Sequence, residues 1–253
     1  MKRIMTVILL TLAMAFAAVA QEAKPKADAK PAEGMPSADQ IIEKYVQAMG
    51  GKAALEKINS RVTKGTLDIP AVGVSGTMET YEKAPNKMAS IATIAGFGEV
   101  KSAYDGTKGW ADHPATGLRD LSGVELANTR LEAELHKAIR LKELYPTITV
   151  KGKEKVGDKE AYVVEGTPKE GSVEKWYFDT QTGLLIRTDA IQESPEGKIP
   201  TEIYFDEYKE FDGVKVPVAM RISTPMYALN IKTQEVKHNV PVDDAKFAKP
   251  AAK

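Results

Sequence analysis

The spacing of apolar residues along this chain alternates between helical and strand periods, and each change marks a new kind of element. After Ser37, the residues Ile42, Val46 and Met49 fall on one helical face, with Ile41 and Tyr45 beside them. Ser37 and Gln40 have the spacing of a capping box, and Gly50-Gly51 supplies the stop. A short second helix fits Lys52 to Ile58.

Between Arg61 and about His113 the period becomes two. Val72, Val74 and Met78 alternate with Gly73, Ser75, Thr77 and Glu79, as in a strand. Turn signals at Pro85-Asn86, Gly96 and Asp105-Gly106 divide this stretch into about four or five strands. Helical spacing returns from Ser122 to Tyr145, where Leu131, Leu135 and Ile139 stand four apart. Ser122 and Asn128 are both candidate N-caps, so the segment reads as one helix or two, and Pro146 ends it.

Strands resume at Thr147, with turns at Gly157-Asp158, Pro168 to Gly171, Thr182-Gly183, Pro195 to Gly197 and Asp212-Gly213. Trp176 and Phe178 share one strand face, opposite Val173, Lys175 and Tyr177. Ile203 and Phe205 likewise oppose Tyr204, Asp206 and Tyr208, as expected when one side of a sheet is covered and the other wet. Pro217 marks an edge strand or a bulge. Asn239 to Lys253 reads as a polar tail containing Phe247.

Strands and helices occur in blocks, which excludes a parallel doubly wound sheet. The expectation is an α+β fold over residues 37–250. It has a large curled antiparallel sheet of about 10–11 strands, an unclosed half-barrel, covered by the N-terminal helix and a central helical lid. The space between sheet and lid is a natural ligand cavity. Leu131, Leu135 and Ile139 are the candidates to line it from the lid. Met78, Phe97, Trp110, Trp176 and Met220 are the candidates on the sheet side.

Ahead of the domain, Met1–Ala20 has the pattern of a secretory signal peptide. Lys2 and Arg3 precede an apolar run, and Ala18-Val19-Ala20 supplies small residues for cleavage after Ala20. Residues 21–36 are rich in Lys, Ala and Pro and read as a disordered linker. The expected location is therefore the periplasm. Cysteine is absent, which rules out disulfides, thiol catalysis and a lipid-anchored N-terminus. After cleavage, 33 basic residues face 35 acidic ones, a net charge of −2 that offers nucleic acid no basic stripe.

Chemistry is sparse. His113, His136 and His238 are scattered, and Glu132 with His136 makes at most half a metal site. Ser102, Ser122 and Ser223 lie in no nucleophile pattern, and no phosphate loop or dinucleotide fingerprint occurs. The carboxylates Glu79, Glu82, Asp179, Asp189, Asp206 and Glu207 read mostly as solvated faces and turn caps. No cofactor, metal or catalytic residue is expected, and the chain does not read as an enzyme.

Three blocks carry a family resemblance. They are Tyr104-Asp105-Gly106-Thr107-Lys108-Gly109-Trp110 with Pro114-Ala115-Thr116-Gly117, Gly152 to Tyr162 with Tyr177 to Leu184, and Asp212-Gly213-Val214-Lys215-Val216-Pro217. With the element order, they make residues 37–250 similar to the LolA-like periplasmic lipoprotein carriers of outer membrane lipoprotein sorting. The resemblance implies the half-barrel fold. With the leader, the lid and the absence of catalytic motifs, it leads to the expectation of a protein that holds a lipid, an acyl chain or a lipoprotein acyl group, as carrier or sensor. Transient membrane contact and a monomer are also expected. The alternatives are a non-enzymatic adaptor for an envelope protein partner and, third, a hydrolase with a carboxylate site.

Overall fold

The computed structural model of the chain describes residues 34–194 and 197–251. The signal peptide and all but the end of the linker lie outside the described residues.

Two helices come first, α1 (Ala38–Ala48) and α2 (Lys52–Glu56). Six strands follow: β1 (Ser60–Ile69), β2 (Val74–Lys83), β3 (Lys87–Ile94), β4 (Gly98–Tyr104), β5 (Gly109–His113) and β6 (Gly117–Asp120). A helical pair, α3 (Gly123–Glu132) and α4 (Lys137–Leu144), leads to seven more. These are β7 (Thr147–Val156), β8 (Lys159–Thr167), β9 (Glu174–Asp179), β10 (Leu185–Ser194), β11 (Gly197–Phe211), β12 (Val214–Ser223) and β13 (Ala228–His238).

All thirteen strands form one antiparallel, unclosed, curled sheet in the order β6-β5-β4-β3-β2-β1-β13-β12-β11-β10-β9-β8-β7. Two meanders thus meet at a central seam, where β1 pairs with β13 from Arg61↔His238 to Asp68↔Asn230. The helical pair runs from one free edge, β6, to the other, β7. In between, α3 contacts β5 on one side and β10 on the other, so it bridges the concavity.

The capping box forms as the sequence predicts. The Ser37 hydroxyl accepts from Gln40 N at 3.2 Å, and Ser37 N donates to Gln40 Oε1 at 2.9 Å. The apolar stripe of α1 is buried against Leu141, Tyr145, Trp176 and Phe178. Each buried Ile or Val there contributes about 1.5–3 kcal/mol. The end of α1 docks on the β11–β12 turn, where Lys215 N donates to Met49 O at 2.9 Å. A side chain at Gly50 would meet the Gly213 carbonyl oxygen at 2.1 Å, so only glycine fits this junction.

Four local expectations are amended. The sheet holds thirteen strands rather than about 10–11, partly because the four-residue β6 is too short to show a period. The central helical segment breaks at Ala133–His136, so Glu132 ends α3 and His136 precedes α4. Glu132 accepts from Gln192 and His136 Nε2 pairs with Ile58 O at 2.9 Å, so the two do not share a helix face. Register shifts between Phe205 and Tyr208 turn Tyr208 inward, where its hydroxyl donates to Leu185 O at 2.8 Å. Pro217 pairs with Tyr208 at that irregularity. Finally, the C-terminal tail is a strap: Val242 and Phe247 are buried on a small core with Ala89, Ala103 and Trp110.

Candidate functional site

Directly paired residues in an antiparallel sheet point to the same face, so the registers define what the concave side presents. One row is Trp176–Thr188–Ile203–Ile222–Leu229, running from β9 to β13. A second is Phe205–Met220–Ile231–Leu67–Gly76–Ile94, crossing the seam from β11 to β3. A third is Gly65–Met78–Ala92–Val100, from β1 to β4. These rows contain no charged residue. Met78, Ile94, Val100, Met220, Ile222 and Leu229 are half-buried, so much of this floor is an open apolar trough.

At the β9–β11 end the trough runs under the helices and becomes a cavity of about 230 Å³. Trp176, Phe178, Ile203 and Phe205 line it from the sheet, Ala138 and Leu141 from α4, and Tyr45 from α1. Gly166 of β8 leaves room for the Trp176 indole, since a Cβ there would sit 2.2 Å from Cη2. Tyr145 packs edge-on against the same indole, with ring centroids 4.7 Å apart at 89°. Pockets for drug-sized ligands run to roughly 300–1,000 Å³. The cavity beneath the helices is smaller than such pockets, and it opens onto the trough.

The cavity has one polar corner. Glu174 accepts from Lys137 Nζ at 3.0 and 3.1 Å, from Tyr145 Oη at 2.5 Å and from Trp176 Nε1 at 2.8 Å. Burial alone would raise its pKa, but Lys137 and these hydrogen bonds together bring it below the ordinary carboxylate value. The indole N–H and the buried phenol are thereby satisfied, so this wall offers a ligand an apolar ring face. Glu132 differs. Its side chain is exposed at the mouth of the concavity, and its hydrogen bond among the described residues comes from Gln192 Nε2 at 3.3 Å. The surrounding protein atoms of the concavity raise its pKa by desolvation, with Lys137 opposing and Glu174 pushing the same way. Burial pushes Tyr45 up to about 12, so it presents a neutral hydroxyl.

No protein-family model matches the chain, and no curated protein does. Solved structures do match. A LolA superfamily protein from Nitrosomonas europaea aligns with TM-score 0.56 at 13% identity, over 85% of this chain and 99% of that one. This is a LolA-type fold. A DUF1329 family protein from Desulfovibrio piger aligns with TM-score 0.55 at 17% identity, over 85% and 98% of the two chains. A structure described as an outer membrane lipoprotein-sorting protein domain, from Vibrio parahaemolyticus, aligns with TM-score 0.51 at 13% identity, over 82% and 97%.

Within this LolA-type fold the eight expected lining residues are dispersed. Trp176 lines the cavity, and Met78 and Met220 lie on the trough floor. Leu131 is buried in the main core, with Leu135 and Ile139 packed against it. Phe97 stands at the β3–β4 turn, 45% exposed, with its ring 5.2 Å from that of His113. Trp110 is on the other side of the sheet. It pairs with Ala103 on the convex face and donates from Nε1 to Phe247 O at 2.9 Å beneath the C-terminal strap.

The cavity residues beyond these were partly legible. Phe178, Ile203 and Phe205 show in the alternation, and Glu174 sits two residues before Trp176 on the same face. Tyr45 reads only as helix core. Among the described residues, no group of three or more His, Asp or Glu is placed to hold a metal. Asp179 accepts from Gln181 N and Thr182 N in the β9–β10 turn, and Asp189 pairs with Arg187 on the convex face.

Proposed function

We propose that this chain is an exported envelope protein that holds a hydrophobic ligand, a lipid or an acyl chain including one attached to a lipoprotein. The ligand lies in the trough with one end under α3 and α4, and the protein acts as carrier or sensor without a catalytic step. The observation that carries this reading is the apolar floor, three rows without a charged residue that continue from the half-open cavity beneath the helices into an open trough. Burying a chain along it yields about 25 cal/mol for each Å² of apolar surface removed from water. Of the original candidates, Trp176, Met78 and Met220 are the proposed contacts. An adaptor with no small ligand has less need of a hollow beneath its lid.

The test is native mass spectrometry of protein purified from a bacterial envelope, followed by denaturing lipid extraction. A discrete adduct recurring across preparations, lost on extraction and identified as lipid, is the expected result. A bare mass that stays unchanged after incubation with envelope lipids overturns the proposal.

A further inference from the structure

Four neighbouring hairpin tips at one end of the sheet differ in chemistry from the other tips, including those of β8–β9 and β10–β11 at the same end, which carry Lys169 and Glu170, and Glu193 and Lys198. Four hairpins adjacent in the sheet, β5–β6, β3–β4, β1–β2 and β12–β13, turn at the same end. Their tips are His113–Leu118, Ile94–Gly98, Ile69–Gly76 and Ile222–Ile231, and none contains Asp, Glu, Lys or Arg. The whole chain is 28% charged, so four neighbouring tips without a charge are not a compositional accident. At the opposite end, the turns of the same strands carry Lys83, Lys87, Asp105, Lys108 and Asp212.

Among the described residues the charge-free tips also hold four of the six exposed large apolar side chains, the others being Val173 and Ile191. Val72 is 67% exposed, Met226 71%, Phe97 45% and Tyr227 43%. Two of the tips touch, through the Phe97 and His113 rings and through Gly98 beside Pro114. Charges reappear next to the tips in sequence, at Asp68, Glu99, Asp112, Arg119 and Arg221.

We propose that these four tips form a membrane-docking edge that seats in the interface of a lipid bilayer. Three features favour a bilayer over a protein partner. A protein interface is rimmed by polar and charged groups, whereas these tips contain no Asp, Glu, Lys or Arg. Phe97 and Tyr227 are of the aromatic type that settles at the headgroup level. The tips also continue the trough, because Ile69, Val74, Ile94, Ile222 and Leu229 belong both to the tips or their first residues and to the apolar inner face. A chain leaving the bilayer at this edge passes onto the trough floor without crossing a charged barrier.

The test is flotation of the protein, as exported and with its N-terminus defined by intact mass, with vesicles of uncharged phosphatidylcholine. The docking edge predicts binding that persists in about 1 M salt, where the Debye length is about 3 Å. It predicts at least about tenfold weaker binding for the Val72→Asp, Met226→Asp pair, and no change for Thr107→Asp at the charged end. Circular dichroism and uptake of a soluble fluorescent fatty acid from solution should be unchanged in the pair, which separates the docking edge from the ligand site. No flotation, flotation abolished by salt, or equal flotation of the pair and the parent overturns the proposal. In the first case, a protein partner takes the bilayer's place.

Discussion

Replacing Gly166 with alanine probes the cavity wall most directly. The new Cβ would lie 2.2 Å from Trp176 Cη2 and 2.8 Å from two further ring carbons, where ordinary contact begins at 3.4 Å. Flanking strand backbone fixes the Cβ, so the indole must retreat by more than 1 Å. It then loses contact with Tyr145 or its 2.8 Å hydrogen bond to Glu174. Overpacking costs about 1–3 kcal/mol and a lost hydrogen bond to a charged group about 1.5–3 kcal/mol. Partial relaxation into the neighbouring cavity leaves a net loss of about 2–4 kcal/mol, or a fall in Tm of about 5–15 °C for a domain of this size. The displaced ring also occupies ligand space, so affinity for a fluorescent fatty acid should fall about tenfold, equivalent to about 1.4 kcal/mol. The assay uses a Trp110→Phe background, which leaves Trp176 as the single indole of the chain. Its emission reports the move while thermal melts report stability. Unchanged emission, Tm and affinity together would refute the packing of Trp176 on Gly166.

Two carboxylates predict opposite pH behaviour. Glu132 has a folded pKa above its ordinary 4.5, so its contribution is fully present below that value and is lost as pH rises through the folded pKa. Glu132→Gln should therefore reduce the decline in urea midpoint above pH 4.5 and raise stability near neutrality. Glu174 is shifted down, so its stabilisation is present above 4.5 and lost as pH falls through the folded pKa. Glu174→Gln should flatten the acid limb instead, and identical pH profiles for the two variants would contradict both assignments. Phe247→Ala should cost about 3–5 kcal/mol, since the ring is 1% exposed between Trp110 and its neighbours. A chemical melt with an unchanged midpoint would show that the strap contributes nothing.

Much of the architecture is written in local patterns. The stripe of α1, its cap and the turns at Gly157-Asp158 and Asp212-Gly213 are short-range features, and they report the half-barrel faithfully. The alternation in β9 and β11 likewise exposes Trp176, Phe178, Ile203 and Phe205 as one covered face. What escaped depends on partners distant in sequence. Trp110 and Phe247 are 137 residues apart, and nothing near Trp110 distinguishes the convex face from the concave one. The bulge that turns Tyr208 inward breaks the period used to assign its face. Glu174 gathers Lys137, Tyr145 and Trp176 from three elements, and a lone glutamate in a strand shows none of that.

The seam between β1 and β13 has a consequence for the life history of the molecule. Each meander is built from neighbouring hairpins, but the row through Leu67 and Ile231 joins the first strand to the last. A continuous floor therefore does not exist in a nascent chain until translation has delivered its final strand. Loss of β13 to a protease would separate the two meanders and break the trough floor at its centre. On the proposed function, a ligand lying across both meanders would be held only by a molecule in which β13 has joined β1.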